Sequence, residues 1–212
     1  MRIKSFRFYI IKKFLKTEDI RILDIGSGSH SPSLTKACFP KSVYHSIDIN
    51  EKYNNNEDDI KLIDKFFEKD LNKLEFDDIE DNYYDLLIMS HVIEHLINGD
   101  KVIESLLAKL KPNGIIYLEY PSVKSLFLPT MRETLNFFDD PTHVRIYTLH
   151  ELLNLLLKNN TTILKYGTRR RLLSILLIPI KVPYQLITKS YLRAGTFWDI
   201  TGFAQFIIAK RK

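Results

Sequence analysis

The stretch RILDIGSGSH, residues 21–30, indicates the fold and raises the question of what lies against it. Its first half is largely apolar and suits a strand that is buried on both faces of a parallel sheet. Gly26 and Gly28 follow directly, in a chain that has only seven glycines. Because glycine lacks a Cβ, these positions allow a tight turn and let a ligand lie close to the main chain.

Short apolar segments of this kind recur along the chain and alternate with helical patterns. Those that we interpret as strands are RILDI (21–25), SVYHSIDI (42–49), a third strand ending near Asp70, YYDLLIMS (83–90), GIIYLEY (114–120), TTILKY (161–166) and FAQFIIAKRK (203–212). The alternation predicts an α/β fold with right-handed crossovers and helices on both faces of the sheet.

Two helices are predicted together with their boundaries. Residues 99–111 place their apolar side chains on one helix face, and the Pro and Gly of the following KPNG are expected to end this helix. Residues 148–160 form the second helix, in which Thr148 is expected to cap the first turn together with Glu151.

Length and composition limit the class of protein. The 212 residues suffice for one domain with a full core, and the single Cys38 excludes an internal disulfide and fits a reducing, cytoplasmic compartment. Residues 1–17 are interpreted as an amphipathic helix at the edge of the domain, because they lack the features of a signal peptide. No apolar run reaches the roughly 20 residues of a membrane span.

The net charge of +5 is unevenly distributed along the chain. Residues 48–85 hold fourteen acidic residues against five lysines, whereas residues 152–198 hold eight Lys or Arg and no acidic residue. Because the chain is basic at one end only, we expect no nucleic-acid partner.

Acidic residues follow two of the predicted strands after the glycine turn. Asp48 ends the second strand, where an acidic side chain can accept hydrogen bonds from the hydroxyls of a ribose. Asp70 and Leu71 follow the third strand and can hold an adenine amino group and cover its ring, with a solvated charge as the alternative interpretation of Asp70. A nicotinamide cofactor is disfavoured, because its fingerprint requires glycine where Ser31 stands.

Taken in order, these motifs resemble the class I S-adenosylmethionine-dependent methyltransferases. The resemblance runs from about residue 18 to the end of the chain and is carried by ILDIGSGSH, SIDIN, EKDLN, YDLLIMSHVIEHL, LKPNGIIYLEYPS and PTHVRIYTLHELLNLLL. The closing GTFWDITGFAQFIIAKRK is similar to relatives among the polysaccharide and glycoconjugate methyltransferases. The resemblance implies a Rossmann-like, seven-stranded, mostly parallel sheet with an antiparallel last strand. His30 departs from it, since the family has its third glycine there, and is expected to widen the turn.

The resemblance also implies that the cofactor is S-adenosyl-L-methionine and indicates where it lies. The cofactor-binding residues it assigns are Asp24, Gly26, Gly28, Asp48, Ile49, Asp70, Leu71 and Ser90. The methionine end is expected at the glycine turn, and Ser90 and His91 are expected to flank the methyl group. Since the cofactor carries the reactive methyl, the protein has to align the acceptor and remove a proton.

A hydroxyl acceptor needs a base, and histidine is the side chain best matched to neutral pH. Of the six histidines, His45 and His150 are interpreted as structural. We predict His143 and His91 as the catalytic residues. His91 and His95 are four residues apart, so on a helix their rings would lie on one face.

The stretch around HVIEH allows an alternative with a metal. It matches the inverzincin protease pattern, which its place at the end of a sheet strand excludes. It also resembles ubiquinone-pathway O-methyltransferases and small-RNA 2′-O-methyltransferases, which gather a divalent ion at this stretch. His91, Glu94, His95 and His143 are therefore a candidate four-ligand set, although Glu94 and His95 can equally brace the helix. We assign no metal.

Residues 168–198 separate the last two strands and join three arginines, at 169–171, to many apolar residues. Pro179 and Pro183 are expected to prevent one continuous helix. The segment is interpreted either as a lid packed on the domain or as a membrane-facing segment that rests on anionic lipid and presents a lipid-linked acceptor.

The sequence thus predicts one cytoplasmic methyltransferase domain over residues 1–212, with peripheral contact to anionic membrane as one interpretation of its basic segment. The expected acceptor is a hydroxyl of a sugar or of a lipid-linked glycan. A metal-assisted O-methyltransferase of a quinone-like phenol is one alternative. A non-catalytic scaffold is another, in which the acceptor pocket beside Ser90 and His143 would be plugged.

Overall fold

The described residues, 5–52 and 55–212 of a computed structural model, form one sheet of seven strands. The strands are β1 (Arg21–Ile25), β2 (Val43–Asp48), β3 (Lys65–Glu68), β4 (Tyr84–Ser90), β5 (Leu110–Pro121), β6 (Thr161–Thr168) and β7 (Ala204–Arg211). Their order is β3-β2-β1-β4-β5-β7-β6, and β7 runs antiparallel to both of its neighbours. The predicted Rossmann-like arrangement with an antiparallel last strand is confirmed.

Helices cover both faces of this sheet. Over the described ranges they are α1 (Phe6–Ile11), α2 (Ser31–Lys36), α3 (Glu57–Ile60), α4 (Gly99–Leu107), α5 (Leu149–Lys158), α6 (Leu172–Leu176), α7 (Ile178–Lys189) and α8 (Trp198–Thr201). The helix α1 falls within the edge helix predicted over residues 1–17, of which residues 1–4 lie outside the described part.

Successive residues of the central strands point into two different cores. In β4, Leu87 and Met89 belong to the core that α4 and α5 complete, whereas Leu86 and Ile88 belong to the core that α1 completes. Because side chains alternate across a strand, a strand covered on both faces is apolar at nearly every position. This arrangement explains the unbroken apolar runs of the sequence.

The predicted cap of α5 is confirmed. The hydroxyl of Thr148 accepts a hydrogen bond from the main-chain N–H of Glu151 at 3.1 Å, and the Glu151 carboxylate accepts one from the Thr148 N–H at 2.9 Å. Two N–H groups of the first turn are thereby satisfied by side chains.

The helix predicted over residues 99–111 ends earlier than expected. α4 ends at Leu107, and Leu110 already pairs with Tyr84 as the first residue of β5. Leu110 is completely buried in that pairing, so sheet formation and core packing outweigh the local helical pattern. The prediction that KPNG ends the helix was wrong, because KPNG lies within β5.

The two prolines of the insertion behave differently. The helical segment is interrupted at Leu177, between α6 and α7, and Pro179 lies in the first turn of α7, where proline is well tolerated. Pro183 lies inside α7 without ending it, contrary to the prediction. It lacks the N–H that would bond the carbonyl of Pro179, but Pro179 is exposed, so water can satisfy that carbonyl.

The order of the strands locates a ligand crevice. β1 lies between β2 and β4, so the sheet grows in both directions from β1. In doubly wound sheets, ligands bind at this switch point, outside the carboxyl ends of the strands.

Candidate functional site

A cavity of about 870 Å³ lies at the carboxyl ends of β1, β2 and β4. Small-molecule sites typically measure roughly 300–1,000 Å³, so the cavity has the size of a cofactor and acceptor site. The predicted cofactor residues that line it are Gly26, Gly28, Asp48, Ile49, Asp70, Leu71 and Ser90, and His91 lines it as well. Asp24 does not.

Asp24 lies behind the glycine turn and is 1% exposed. Its Oδ2 accepts hydrogen bonds from the Ser31 hydroxyl at 2.5 Å and from the Tyr44 hydroxyl at 2.7 Å, and burial raises the pKa of this carboxyl. Arg7 of α1 in turn donates to the Ser31 hydroxyl at 2.7 Å. Asp24 therefore ties β1, β2, α2 and α1 together beneath the cavity.

The turn after β1 contains residues with a left-handed backbone. Gly26 has φ +69°, and a Cβ there would lie 2.3 Å from Cγ2 of Val92, so only glycine fits. His30 has φ +61°, the left-handed conformation that glycine favours, and its Nδ1 lies 2.5 Å from the Asp59 carboxylate. The third position of the motif thus keeps a glycine-like backbone although the side chain is histidine.

Two acidic residues lie at the tips of β2 and β3. The Asp48 carboxylate accepts a hydrogen bond from the Ile49 N–H at 2.7 Å and also bonds the Gly28 N–H, and burial raises its pKa. Asp70 caps a 3₁₀ turn by accepting from the Asn72 N–H at 3.0 Å. A glycine cradle with these acids and the exposed Ile49 beside it fits the ribose and adenine of S-adenosylmethionine.

His91 lies between two buried carboxylates. Its Nδ1 is 3.1 Å from Oε1 of Glu94, and its Nε2 is 3.3 Å from Oε1 of Glu119. Burial alone would lower the pKa of His91, but the hydrogen bonds and charges of the two glutamates raise it to about 9. His91 therefore carries its proton at neutral pH and is a hydrogen-bond donor, not a base.

Glu119 connects His91 to the insertion between β6 and β7. Arg169 donates from Nη1 to Oε1 of Glu119 at 3.0 Å, and its Nε lies 3.4 Å from the Asp199 carboxylate. Burial opposes the ionisation of Glu119, but Arg169 and His91 lower its pKa to about 2. Trp198 packs beside this cluster, with its ring centroid 4.9 Å from that of His91.

Glu119, Arg169 and Trp198 line the cavity, and sequence reasoning missed all three. The available signal was Glu119, a single carboxylate within the apolar run YLEYP of a predicted central strand. A buried charge of this kind needs a partner, but nothing local in the sequence names it.

His95 and His143 form a second pair of rings, with centroids 4.7 Å apart. His95 lines the cavity, and its Nδ1 is 2.9 Å from the Thr142 hydroxyl, which itself donates to Asp140. The Thr142 oxygen therefore accepts from Nδ1–H of His95. The Nδ1 of His143 donates to the Phe137 carbonyl at 2.7 Å. Because Nδ1 donates in both rings, Nε2 is in each the nitrogen left to act as an acceptor.

His91 and His95 do not share a helix face, contrary to the prediction. His91 has φ +57°, and only a 3₁₀ turn, Ile93–His95, follows it, so the two rings point to different partners. Ligand atoms of Glu94, His95 and His143 lie within 4.8 Å of one another, without His91. Within the described residues, Oε2 of Glu94 is buried and has no hydrogen-bond partner.

His143 lies behind His95 rather than on the cavity wall. Its side chain is only 4% exposed, and its ring packs against Phe137 with centroids 4.6 Å apart. Of the two predicted catalytic histidines, only His91 lines the cavity.

Comparison with known proteins identifies the family of the chain. A family model described as a methyltransferase domain matches residues 5–166, and the chain belongs to this family. It is an S-adenosylmethionine-dependent methyltransferase, and the predicted cofactor is confirmed. A search of curated proteins found no match.

Solved structures share the fold at low sequence identity. An S-adenosylmethionine-dependent methyltransferase from Archaeoglobus fulgidus is 20% identical with a TM-score of 0.57, covering 96% of this chain and 94% of that chain. One from Mesorhizobium loti is 14% identical with a TM-score of 0.64, covering 98% of both chains. At these identities the likeness supports the fold and leaves the acceptor open.

Proposed function

We propose that this methyltransferase methylates a hydroxyl of a small polar acceptor, a sugar or a lipid-linked glycan. The observation that carries the proposal is the polar lining of the cavity. Besides the predicted cofactor residues, the cavity is lined by His95, Asp140, Thr142 and Arg169 and by the aromatic ring of Trp198. A sugar ring has several hydroxyls that can use these polar partners while its face packs on an aromatic ring, whereas a phenol with a single hydroxyl uses few of them.

The proposed cofactor residues act by positioning. When bound, S-adenosylmethionine supplies an electrophilic methyl group, so the chain has to hold it and to align the acceptor oxygen. Gly26 and Gly28 allow the main chain to approach the ligand, and Asp48 can accept hydrogen bonds from ribose hydroxyls. Asp70, Leu71 and Ile49 can enclose the adenine.

We infer that His95 takes the proton of the acceptor hydroxyl. Its Nδ1 donates to Thr142 and its ring lines the cavity, so Nε2 is the accepting atom. His143 is then a positioning residue, because it contacts the His95 ring and is itself oriented by the Phe137 carbonyl. His91, which holds its proton, is proposed to keep Glu119 and Arg169 in place beside the acceptor.

Replacement of His95 tests this proposal. The acceptor is first sought with labelled S-adenosylmethionine and a panel of sugar nucleotides, lipid-linked saccharides and phenols. We expect His95→Gln to lower kcat by about a hundredfold or more with little change in KM or in S-adenosylhomocysteine affinity. We expect His143→Gln to lower kcat less, because His143 only orients the His95 ring. His150→Gln, on the exposed side of α5, is the matched control.

Two results would contradict the proposal. Full turnover by His95→Gln would show that His95 is not the base. Methylation of phenols alone would show that the acceptor is not a saccharide. A non-catalytic scaffold is disfavoured, because its acceptor side should be plugged, whereas the cavity here extends to His95, Thr142 and Trp198.

A metal-assisted reaction is the second candidate. It is favoured by the clustering of Glu94, His95 and His143 and by the unpaired buried oxygen of Glu94. Imidazole and carboxylate together suit a divalent cation such as Zn²⁺. Full activity in excess chelator would exclude this candidate, whereas loss of activity that a divalent ion restores would replace the free base with a metal.

A further inference from the structure

The insertion between β6 and β7 carries an unpartnered apolar face. Among the described side chains of α6 and α7, none is buried. The exposed large apolar side chains on these helices, here called the α6–α7 surface, are Leu172, Leu173, Leu176, Ile180, Tyr184, Leu186 and Ile187. The exposed fraction reaches 83% at Ile187, so these side chains do not pack against the domain as those of a lid would.

The domain is contacted instead by the arm that leads back from α7 to β7. Ala194 and Thr196 are buried there, and Ala194 packs in a small core with Phe203. Gln185 fastens α7 to this arm through a 2.8 Å hydrogen bond to the Thr196 hydroxyl. The insertion is therefore anchored at its return arm, and the α6–α7 surface faces outward.

The three consecutive arginines do not act as one basic patch, contrary to the expectation that they contact lipid together. Arg169 is committed to Glu119 and Asp199 beside the cavity. Arg170 donates from Nη1 to the main-chain carbonyls of residues 199 and 200, at 3.2 Å and 2.8 Å. Both anchor the insertion to the domain.

Other cations accompany the α6–α7 surface. Arg171, Lys181 and Lys189 lie on or next to its helices, and across residues 5–52 and 55–212 none of their side chains has a carboxylate oxygen within 4.0 Å. The sequence has no acidic residue between positions 152 and 198. Apolar side chains thus lie next to unpaired positive charge with no negative charge among them.

We propose that the α6–α7 surface docks on an anionic lipid bilayer. At the surface of such a bilayer, apolar side chains can insert between the headgroups and the acyl chains. The flanking Lys and Arg side chains are attracted by the negative charge of the headgroups. A second copy of this chain would instead bring like charges together across the contact. The described ranges contain no helix with the length and apolar character of a membrane span.

Docking would bring a lipid-linked acceptor to the active site, a step that rests on the proposed function. Arg169 lies at the start of the insertion and Trp198 near its end, and both line the cavity. One segment of chain therefore both contacts the bilayer and lines the cavity. The acceptor class that fits this arrangement is a saccharide on a lipid carrier.

Vesicle co-sedimentation tests the docking. The full chain is mixed with vesicles of phosphatidylcholine alone or of equal parts phosphatidylcholine and phosphatidylglycerol, at increasing salt. We expect binding to the anionic vesicles only, weakening with salt. Arg171→Gln/Lys181→Gln/Lys189→Gln should reduce partitioning by roughly fivefold per cation, and Ile180→Ser/Ile187→Ser by about tenfold or more. Leu157→Ser/Lys158→Gln, exposed on α5, should bind like the wild type.

Calorimetry with S-adenosylhomocysteine on every variant separates the outcomes. Variants that keep wild-type affinity for it but lose vesicle binding support the proposal. Equal recovery on both vesicle types, or undiminished binding of Ile180→Ser/Ile187→Ser, overturns it. The proposal is also overturned if the wild type does not bind vesicles but forms a dimer, and Ile180→Ser/Ile187→Ser is a monomer. That result would assign the α6–α7 surface to contact with a second copy of the chain. Vesicle binding without S-adenosylhomocysteine binding would overturn the proposed function alone.

Discussion

His91 carries a positive charge at neutral pH because Glu94 and Glu119 hold its proton, and its pKa is raised to about 9. The same ion pairs link folding to pH. An unfolded chain releases this proton near pH 6.5, whereas the folded chain retains it to about pH 9. The stabilisation is therefore complete below about pH 6.5 and is lost as the pH rises through about 9.

We predict that this pH dependence disappears in His91→Gln. Between about pH 6.5 and 9, the free energy of unfolding of the wild type should fall relative to that of the variant, by roughly 3 kcal/mol at most. Urea unfolding of both proteins at a series of pH values measures the difference. A difference that stays constant across this range would show that His91 does not hold its proton in the folded state.

Arg7 gives a second prediction at a single residue. It lines the cavity next to the glycine turn, and within the described residues its buried Nε has no partner. We expect the guanidinium to receive the carboxylate of the cofactor. Arg7→Gln should weaken S-adenosylhomocysteine about tenfold or more, as a lost charged hydrogen bond does, and leave 5′-methylthioadenosine, which lacks the carboxylate, unaffected. Calorimetry that finds the same loss for both ligands would contradict this role.

Single residues differ in how far the sequence could identify them. The positions of Gly26, Gly28 and Asp48 on the cavity wall were predictable, because strand, glycine turn and acidic strand tip occur in a fixed order over a short distance. Arg169 and Glu119 were not, because they lie 50 positions apart and only the finished sheet brings them together. His143 was predicted as the base from its position in the sequence and the match of histidine to neutral pH, which could not reveal that the His95 ring packs against it.

Among the secondary structure elements, the strands were predictable and the ends of some helices were not. Strands buried on both faces are recognisable as continuous apolar runs. The end of α4 depends on Leu110 pairing with Tyr84, a contact across the sheet that outweighs the local helical pattern. The turn at His91 depends likewise on its N–H bonding the carbonyl of Glu119 at 2.8 Å.

The cap of α5 provides a prediction for one helix. Thr148→Ala removes the hydroxyl that satisfies the Glu151 N–H, and we expect the free energy of unfolding to fall by about 1 kcal/mol. Glu151→Gln is the matched control, because glutamine can still accept the return hydrogen bond and should cost less. Urea unfolding of the three proteins decides the point, and equal stability of Thr148→Ala and wild type would contradict the capping role.

In the whole molecule, one cavity is bounded by parts that are far apart in the chain. α1 supplies Arg7, the strand tips supply Asp48 and Ser90, and the insertion supplies Arg169 and Trp198. The sequence indicated the strand tips and the unusual composition of the insertion. It could not indicate that Arg169 points into the cavity, because this orientation depends on Glu119 of β5, which lies beside the insertion only in the folded sheet.

Calorimetric titration with S-adenosylhomocysteine tests the central claim, that this cavity holds the cofactor with its ribose at Asp48. We predict that the wild type and Asp19→Ala, an exposed control, bind alike. Asp48→Asn should bind about tenfold or more weakly, because it loses a charged acceptor for the ribose hydroxyls. Absence of binding by the folded wild type, or unchanged affinity in Asp48→Asn, would contradict the account.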